Sequence, residues 1–146
     1  QTGERDVDLV SEGLQRAGLA ARVAPFLGRM AEGMRDANLI VSRAGSTTLA
    51  ELAAAGRAAI LIPLPTATDD HQRRNADALA RAGAAEVLEQ RDLTGASLAS
   101  RILALLDDDE RRARMAAAVR AFARPEAARI IVDRVFALAG ARTAGA

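Results

Sequence analysis

The chain has 146 residues, 20 basic side chains against 19 acidic ones, a single histidine and no cysteine or tryptophan. A length of this order suits one soluble domain with a real core, and the absence of cysteine excludes disulfides and thiolate-ligated metals. All 20 basic residues are arginine and are interleaved with acids, so there is no aromatic-lined basic stripe for a nucleic acid, no signal-peptide core and no apolar run near the ~20 residues of a membrane span.

Residues 1–4 read as a loop that ought to follow a strand, so the chain is expected to begin part-way through a fold; a helix follows over about 5–17. Residues 22–26 form a short candidate strand weakened by Pro25, and 38–42 a better one. The run 58–63 is continuously apolar and stopped by Pro63 and Pro65, the pattern of a parallel strand covered on both faces. Residues 85–89 are the fourth candidate strand. Between the strands, 46–55 and 69–82 read as helices closed by Gly56 and Gly83, where a left-handed residue is wanted. After Gln90 three helices are expected in succession, over 93–106, 109–123 and 125–138. Alternating strands and helices predict an α/β fold, a Rossmann-like parallel sheet with flanking helices and a helical C-terminal end. No internal boundary is evident: residues 1–139 are expected to form one partial domain and 140–146 a frayed tail.

The chemistry gathers in two loops that follow strands, where helix N-termini offer unbonded amides to anions. In the first, Arg43-Ala44-Gly45-Ser46-Thr47-Thr48 leads into a helix. Gly45 allows a tight turn and a close backbone approach, and Ser46, Thr47 and Thr48 bring hydroxyls and amides that suit a phosphate. Glu51 falls about one turn further on. A carboxylate there repels a phosphate and suits the hydroxyls of a ribose; the spacing Thr48-x-x-Glu51 equally fits a capping box, and both readings stand.

In the second loop, Asp69 or Asp70 suits a helix N-cap, with His71, Gln72 and Asn75 projecting from the first turn toward a polyhydroxylated ligand. Asp69-Asp70-His71 lacks the spacing of a metal site. His71 is the sole candidate general base by its intrinsic pKa, but no serine or cysteine nucleophile motif accompanies it, which favours a ligand contact. With no lysine, a P-loop is excluded, and no Gly-x-Gly-x-x-Gly occurs.

Taken in order, the segments at 1–4, 22–27, 37–45 and 48–56, and Ile62-Pro63 through Asp69-Asp70-His71-Gln72 to Asn75-Ala76, resemble the C-terminal, nucleotide-sugar-binding domain of the MurG family of peptidoglycan glycosyltransferases, over residues 1 to about 138. The resemblance implies a GT-B architecture, two Rossmann-like domains facing across a cleft, with UDP-GlcNAc held mainly by the C-terminal one. Carried over by position, the backbone of Leu27 reads the uracil edge, and Ser46, Thr47 and Thr48, with Leu49 and Ala50 behind them, hold the diphosphate. Arg43 and Gly45 fit the family loop, Arg43 with a structural role as the alternative; Glu51 binds the ribose hydroxyls, and His71 and Gln72 contact the GlcNAc hydroxyls. Some members carry two glutamines where His71 and Gln72 stand, a departure that bears on the sugar contacts.

The implied chemistry is an inverting transfer of GlcNAc to a lipid-linked muramoyl-pentapeptide, with UDP leaving onto helix amides and no metal or other cofactor required. The catalytic base and the membrane contact belong in this family to an N-terminal domain absent from these residues. The intact protein is expected in the cytoplasm, peripheral on the inner face of the plasma membrane, and this chain alone is expected to be inactive. In the usual strand order the four candidates are strands 3 to 6, with the two that join 3 to 4 missing, which predicts a rearranged or partly supported sheet or a chain completed by the rest of a larger protein. The alternatives are the donor-binding part of another UDP-sugar transferase and a non-catalytic subunit completed by a partner chain.

Overall fold

A computed structural model describes residues 1–143. The described residues divide into two compact units, 1–33 and a second that begins at Met34, a boundary invisible in the sequence because one helix, α2 (Met30–Asp36), runs through it.

In the first unit, α1 (Val7–Arg16) follows a single 3-10 turn over Glu4–Asp6. No strand forms over 22–26, contrary to expectation. That segment instead accepts two isolated backbone hydrogen bonds, from Thr2 to Ala24 and from Gly3 to Pro25, each of 3.1 Å. Pro25 brings no N–H to a ladder. No residue of 1–33 is fully buried, as follows for a segment too short to enclose a core of its own.

The second unit holds a three-stranded parallel sheet, β1 (Ile40–Ser42), β2 (Ala59–Leu61) and β3 (Glu86–Val87), in that order. Register pairs Val41 with Ile60 and Leu61 with Val87. These are three of the four expected strands, β1 trimmed at its start and β2 and β3 at both ends. The central strand alternates between two apolar layers. Ala59 and Leu61 pack with Leu52 and Ala53 of α3 (Ser46–Ala55), Ala76 and Leu79 of α4 (His71–Arg81) and Val119. Ala58, Ile60 and Ile62 pack with Leu88, Leu105 of α5 (Gly95–Leu106) and Met115. α6 (Asp109–Arg120) supplies both Met115 and Val119, and so joins the two layers. Helices on both faces explain why 58–63 is apolar throughout.

Gly56 (φ 63°) and Gly83 (φ 68°) take the left-handed conformation expected of them. The capping box of this fold lies at α5, where Thr94 Oγ1 accepts from the Ser97 N–H at 3.0 Å and Ser97 Oγ accepts from the Thr94 N–H at 2.9 Å. α7 (Ala127–Thr143) begins after Pro125 and continues as helix beyond Gly140, where a frayed tail is expected from sequence; residues 144–146 of that tail lie outside the described residues. No helix among the described residues is long and apolar enough to cross a membrane.

Candidate functional site

Apart from Leu27, the residues singled out above lie in the loops that leave the carboxyl ends of β1 and β2 and in the first turns of α3 and α4 that follow them. β1 ends at Ser42, the backbone passes through Arg43, buried Ala44 and Gly45, and α3 begins at Ser46. Gly45 is the N-cap in ordinary extended backbone (φ −67°, ψ 146°), so the tight turn expected of it is not what requires glycine. A Cβ there would meet only Thr48 Oγ1, at 3.9 Å.

The first helical hydrogen bond runs from the Leu49 N–H to the Gly45 carbonyl, 3.0 Å, and no side chain caps the helix. The amides of Ser46, Thr47 and Thr48 are therefore left without an acceptor among the described residues, at the positive end of the helix. Ser46 and Thr47 are exposed and Thr48 half-buried. Glu51 is exposed, one turn from Thr47 on the same face and roughly 7.5 Å along the axis from Ser46. With Gly45 at the cap, Thr48 is already the third helical residue, so the capping box with Glu51 does not form. Glu51 has no hydrogen-bond or ion-pair partner among the described residues. Ala50 is exposed on the same side, whereas Leu49 packs against the core and spends its amide inside the helix, which leaves neither group for a ligand.

The second loop departs more from expectation. Asp69 and Asp70 both adopt positive φ, 51° and 54°, and Asp70 takes the N-cap position of α4 without capping it. His71 is exposed at the first turn. Gln72 and Asn75 turn toward the neighbouring loops: Gln72 Oε1 accepts from the Leu64 N–H at 3.0 Å and the Ala44 N–H at 3.3 Å, and Asn75 Nδ2 donates to the Ala44 carbonyl at 3.1 Å. Asn75 is thus committed to the loop, and Gln72 keeps only its Nε2 for other partners.

Arg43 is committed as well, with Nη1 donating to Gln90 Oε1 at 2.7 Å and to the carbonyls of Ile62 and Pro63 at 3.2 and 3.4 Å. These bonds fit the structural alternative and all use Nη1 of an exposed side chain. Arg73 bonds Asp77 through Nε at 3.1 Å and Glu89 through Nη1 at 2.8 Å. The Asp77 hydrogen bond and then the Glu89 charge raise its pKa above the ordinary arginine value. Apart from the structural alternative for Arg43, the ties between these loops are not legible in the sequence, because those of Arg43 to Ile62 and Gln90 and of Gln72 and Asn75 to Ala44 join residues 19 to 47 positions apart.

In the first unit, the Leu27 N–H donates to Gln1 Oε1 at 3.3 Å, a long exposed bond that a uracil edge would have to displace. Among the described residues no group of three or more His, Asp or Glu side chains is placed to hold a metal ion.

The sequence matches the glycosyltransferase family 28 C-terminal domain over residues 1–131. It is 45% identical over 135 residues, 92% of this chain and 37% of the relative, to a UDP-N-acetylglucosamine--N-acetylmuramyl-(pentapeptide) pyrophosphoryl-undecaprenol N-acetylglucosamine transferase of Geotalea daltonii. The protein of the same name from Geobacter sulfurreducens is 45% identical over 137 residues, 94% of this chain and 38% of the relative. The crystal structure of Acinetobacter baumannii MurG superposes with a TM-score of 0.79 at 37% identity, covering 91% of this chain and 39% of that one. The chain therefore spans a little over a third of the length of the relatives it matches.

Proposed function

The chain belongs to the glycosyltransferase family 28 C-terminal domain family, and on that premise we propose that it is the donor-binding part of a two-domain GT-B enzyme that transfers GlcNAc from UDP-GlcNAc to a lipid-linked muramoyl-pentapeptide in peptidoglycan synthesis. The observation that carries this reading is the N-terminus of α3, where, among the described residues, the Ser46, Thr47 and Thr48 amides lack acceptors and Glu51 stands unpartnered one turn along. Unbonded amides at the positive end of a helix suit a diphosphate. An exposed carboxylate beyond them suits vicinal hydroxyls, to which it can only accept.

In this reading the amides hold the donor diphosphate and, as the glycosidic bond breaks, the charge that collects on departing UDP. Preorganised donors of this kind stabilise the leaving group without a metal. Gly45 lets the diphosphate approach the backbone, Glu51 binds the ribose, and His71 with Gln72 Nε2 meets the sugar hydroxyls. The base that activates the acceptor hydroxyl, the acceptor site and the membrane contact belong to the other domain, and the intact enzyme works at the inner face of the plasma membrane.

The test is calorimetric titration of the intact protein with UDP-GlcNAc, UDP-GalNAc and UDP, followed by a transfer assay with a lipid-linked acceptor in the presence and absence of EDTA. Binding of UDP-GlcNAc and UDP, with transfer unaffected by EDTA, is expected. Absence of UDP binding refutes the reading, and loss of transfer in EDTA refutes its metal-free part.

A further inference from the structure

Ala44 is fully buried and lies between β1 and the cap of α3, two positions before the first unbonded amide. Both of its peptide groups are held from a single turn of α4: the N–H by Gln72 Oε1 at 3.3 Å and the carbonyl by Asn75 Nδ2 at 3.1 Å. Gln72 and Asn75 are spaced i, i+3 and so share a helix face. The same Gln72 oxygen accepts from the Leu64 N–H at 3.0 Å, so one atom joins the loop after β1 to the loop after β2. Arg43 extends the tie to the loop after β3 through Gln90.

Helix-terminal amides bind an anion well only if their direction is fixed beforehand; a mobile loop must be ordered at the moment of binding, and affinity falls by that cost. Gly45 has no side chain with which to hold itself, and α3 has no side-chain cap. The side-chain hydrogen bonds to Ala44, the residue before that cap, come from α4, while Arg43 one position earlier is tied to the loops after β2 and β3.

We propose that Gln72 and Asn75 are positioning residues for the diphosphate: by clasping the Ala44 peptide groups they fix the direction of the Ser46, Thr47 and Thr48 amides. This rests on the donor-site reading above and adds to it a role exerted on the nucleotide, beyond any contact of Gln72 with the sugar. A side chain that only hydrogen-bonded sugar hydroxyls would leave the affinity for UDP, which has no sugar ring beyond its ribose, unchanged.

The intact protein and its Gln72→Met and Asn75→Ala variants are titrated with UDP and with UDP-GlcNAc well below the unfolding midpoint of each. Methionine keeps the length and helix propensity of glutamine and removes its acceptor. Leu79→Val, in the buried face of α4, serves as the control for stability alone. UDP affinity is expected to fall about tenfold in each of the two clasp variants, UDP-GlcNAc affinity by at least as much, and UDP affinity of Leu79→Val to stay within about twofold of the parent. Unchanged UDP affinity in both clasp variants, with UDP-GlcNAc affinity reduced or not, overturns the proposal. An equal loss in Leu79→Val also overturns it, because general destabilisation then accounts for the effect. If the parent protein binds neither ligand, the donor-site reading fails and the inference falls with it, an outcome visible before any variant is measured.

Discussion

Proline at residue 46 tests the role of the α3 amides with little collateral change. Ser46 is the first helical residue, its N–H has no intrahelical acceptor, and Gly45 before it sits at φ −67°, ψ 146°. That is the extended region to which a residue preceding proline is confined, and proline is favoured at the first position of a helix. Ser46→Pro thus removes one amide donor without breaking a helical hydrogen bond, and folding stability should change by less than about 1 kcal/mol. Thr47→Pro would not be equivalent, since it forces Ser46 out of the helical region. A hydrogen bond to a charged acceptor contributes about 1.5–3 kcal/mol, so UDP affinity should fall roughly 10- to 150-fold. Ser46→Ala keeps the amide and loses the hydroxyl, so the ratio of the two variants isolates the N–H. Calorimetric titration with UDP gives the affinities and urea unfolding gives the stabilities. If Ser46→Pro is folded and binds UDP as tightly as Ser46→Ala, the diphosphate does not sit on this amide.

Glu51→Ala should leave stability within about 0.5 kcal/mol, because the carboxylate has no partner to lose, yet lower UDP affinity by about tenfold or more through lost ribose hydrogen bonds; a clear drop in the unfolding midpoint would revive the capping reading. Gly83→Ala should cost about 1 kcal/mol, since a Cβ at φ 68° meets no atom within 4 Å and only backbone strain opposes it. Gly56→Ala should cost more, because its Cβ would fall on the Arg120 side chain, and adding Arg120→Ala should bring the cost back toward that of Gly83→Ala in a double-mutant cycle by urea unfolding. Leu52→Ala, at a side chain with 0% exposure, should destabilise by about 2–5 kcal/mol, while a variant still folded at the assay temperature should bind UDP normally.

The fold class was legible because its signals are local. The apolar run ending at Pro63 had to be a strand covered on both faces, and Gly56 and Gly83 had to close helices, since a left-handed residue is tolerated cheaply only without a Cβ. The first strand failed for the opposite reason: 22–26 has strand-like residues, but pairing is a tertiary event, and Pro25 with only isolated backbone bonds cannot sustain it. The boundary between residues 33 and 34 was equally hidden, because a helix crosses it.

By itself, the sequence determined the order of elements from β1 onward, the family and the nature of the candidate groups: amides at a helix start, an acid one turn along, a polar first turn on α4. Spacing along one helix sets those relations, and helical geometry is the same in any context. Only the tertiary structure decided which of those groups remain available. Arg43, Gln72 and Asn75 look like ligand contacts as long as the loops after the three strands are considered separately. Once the parallel sheet brings those loops side by side, buried or partly buried backbone groups such as those of Ala44 require partners, and the nearest polar side chains supply them. Glu51 went the other way: with the helix start fixed at Gly45, its capping partner was out of register, and the carboxylate was left to solvent.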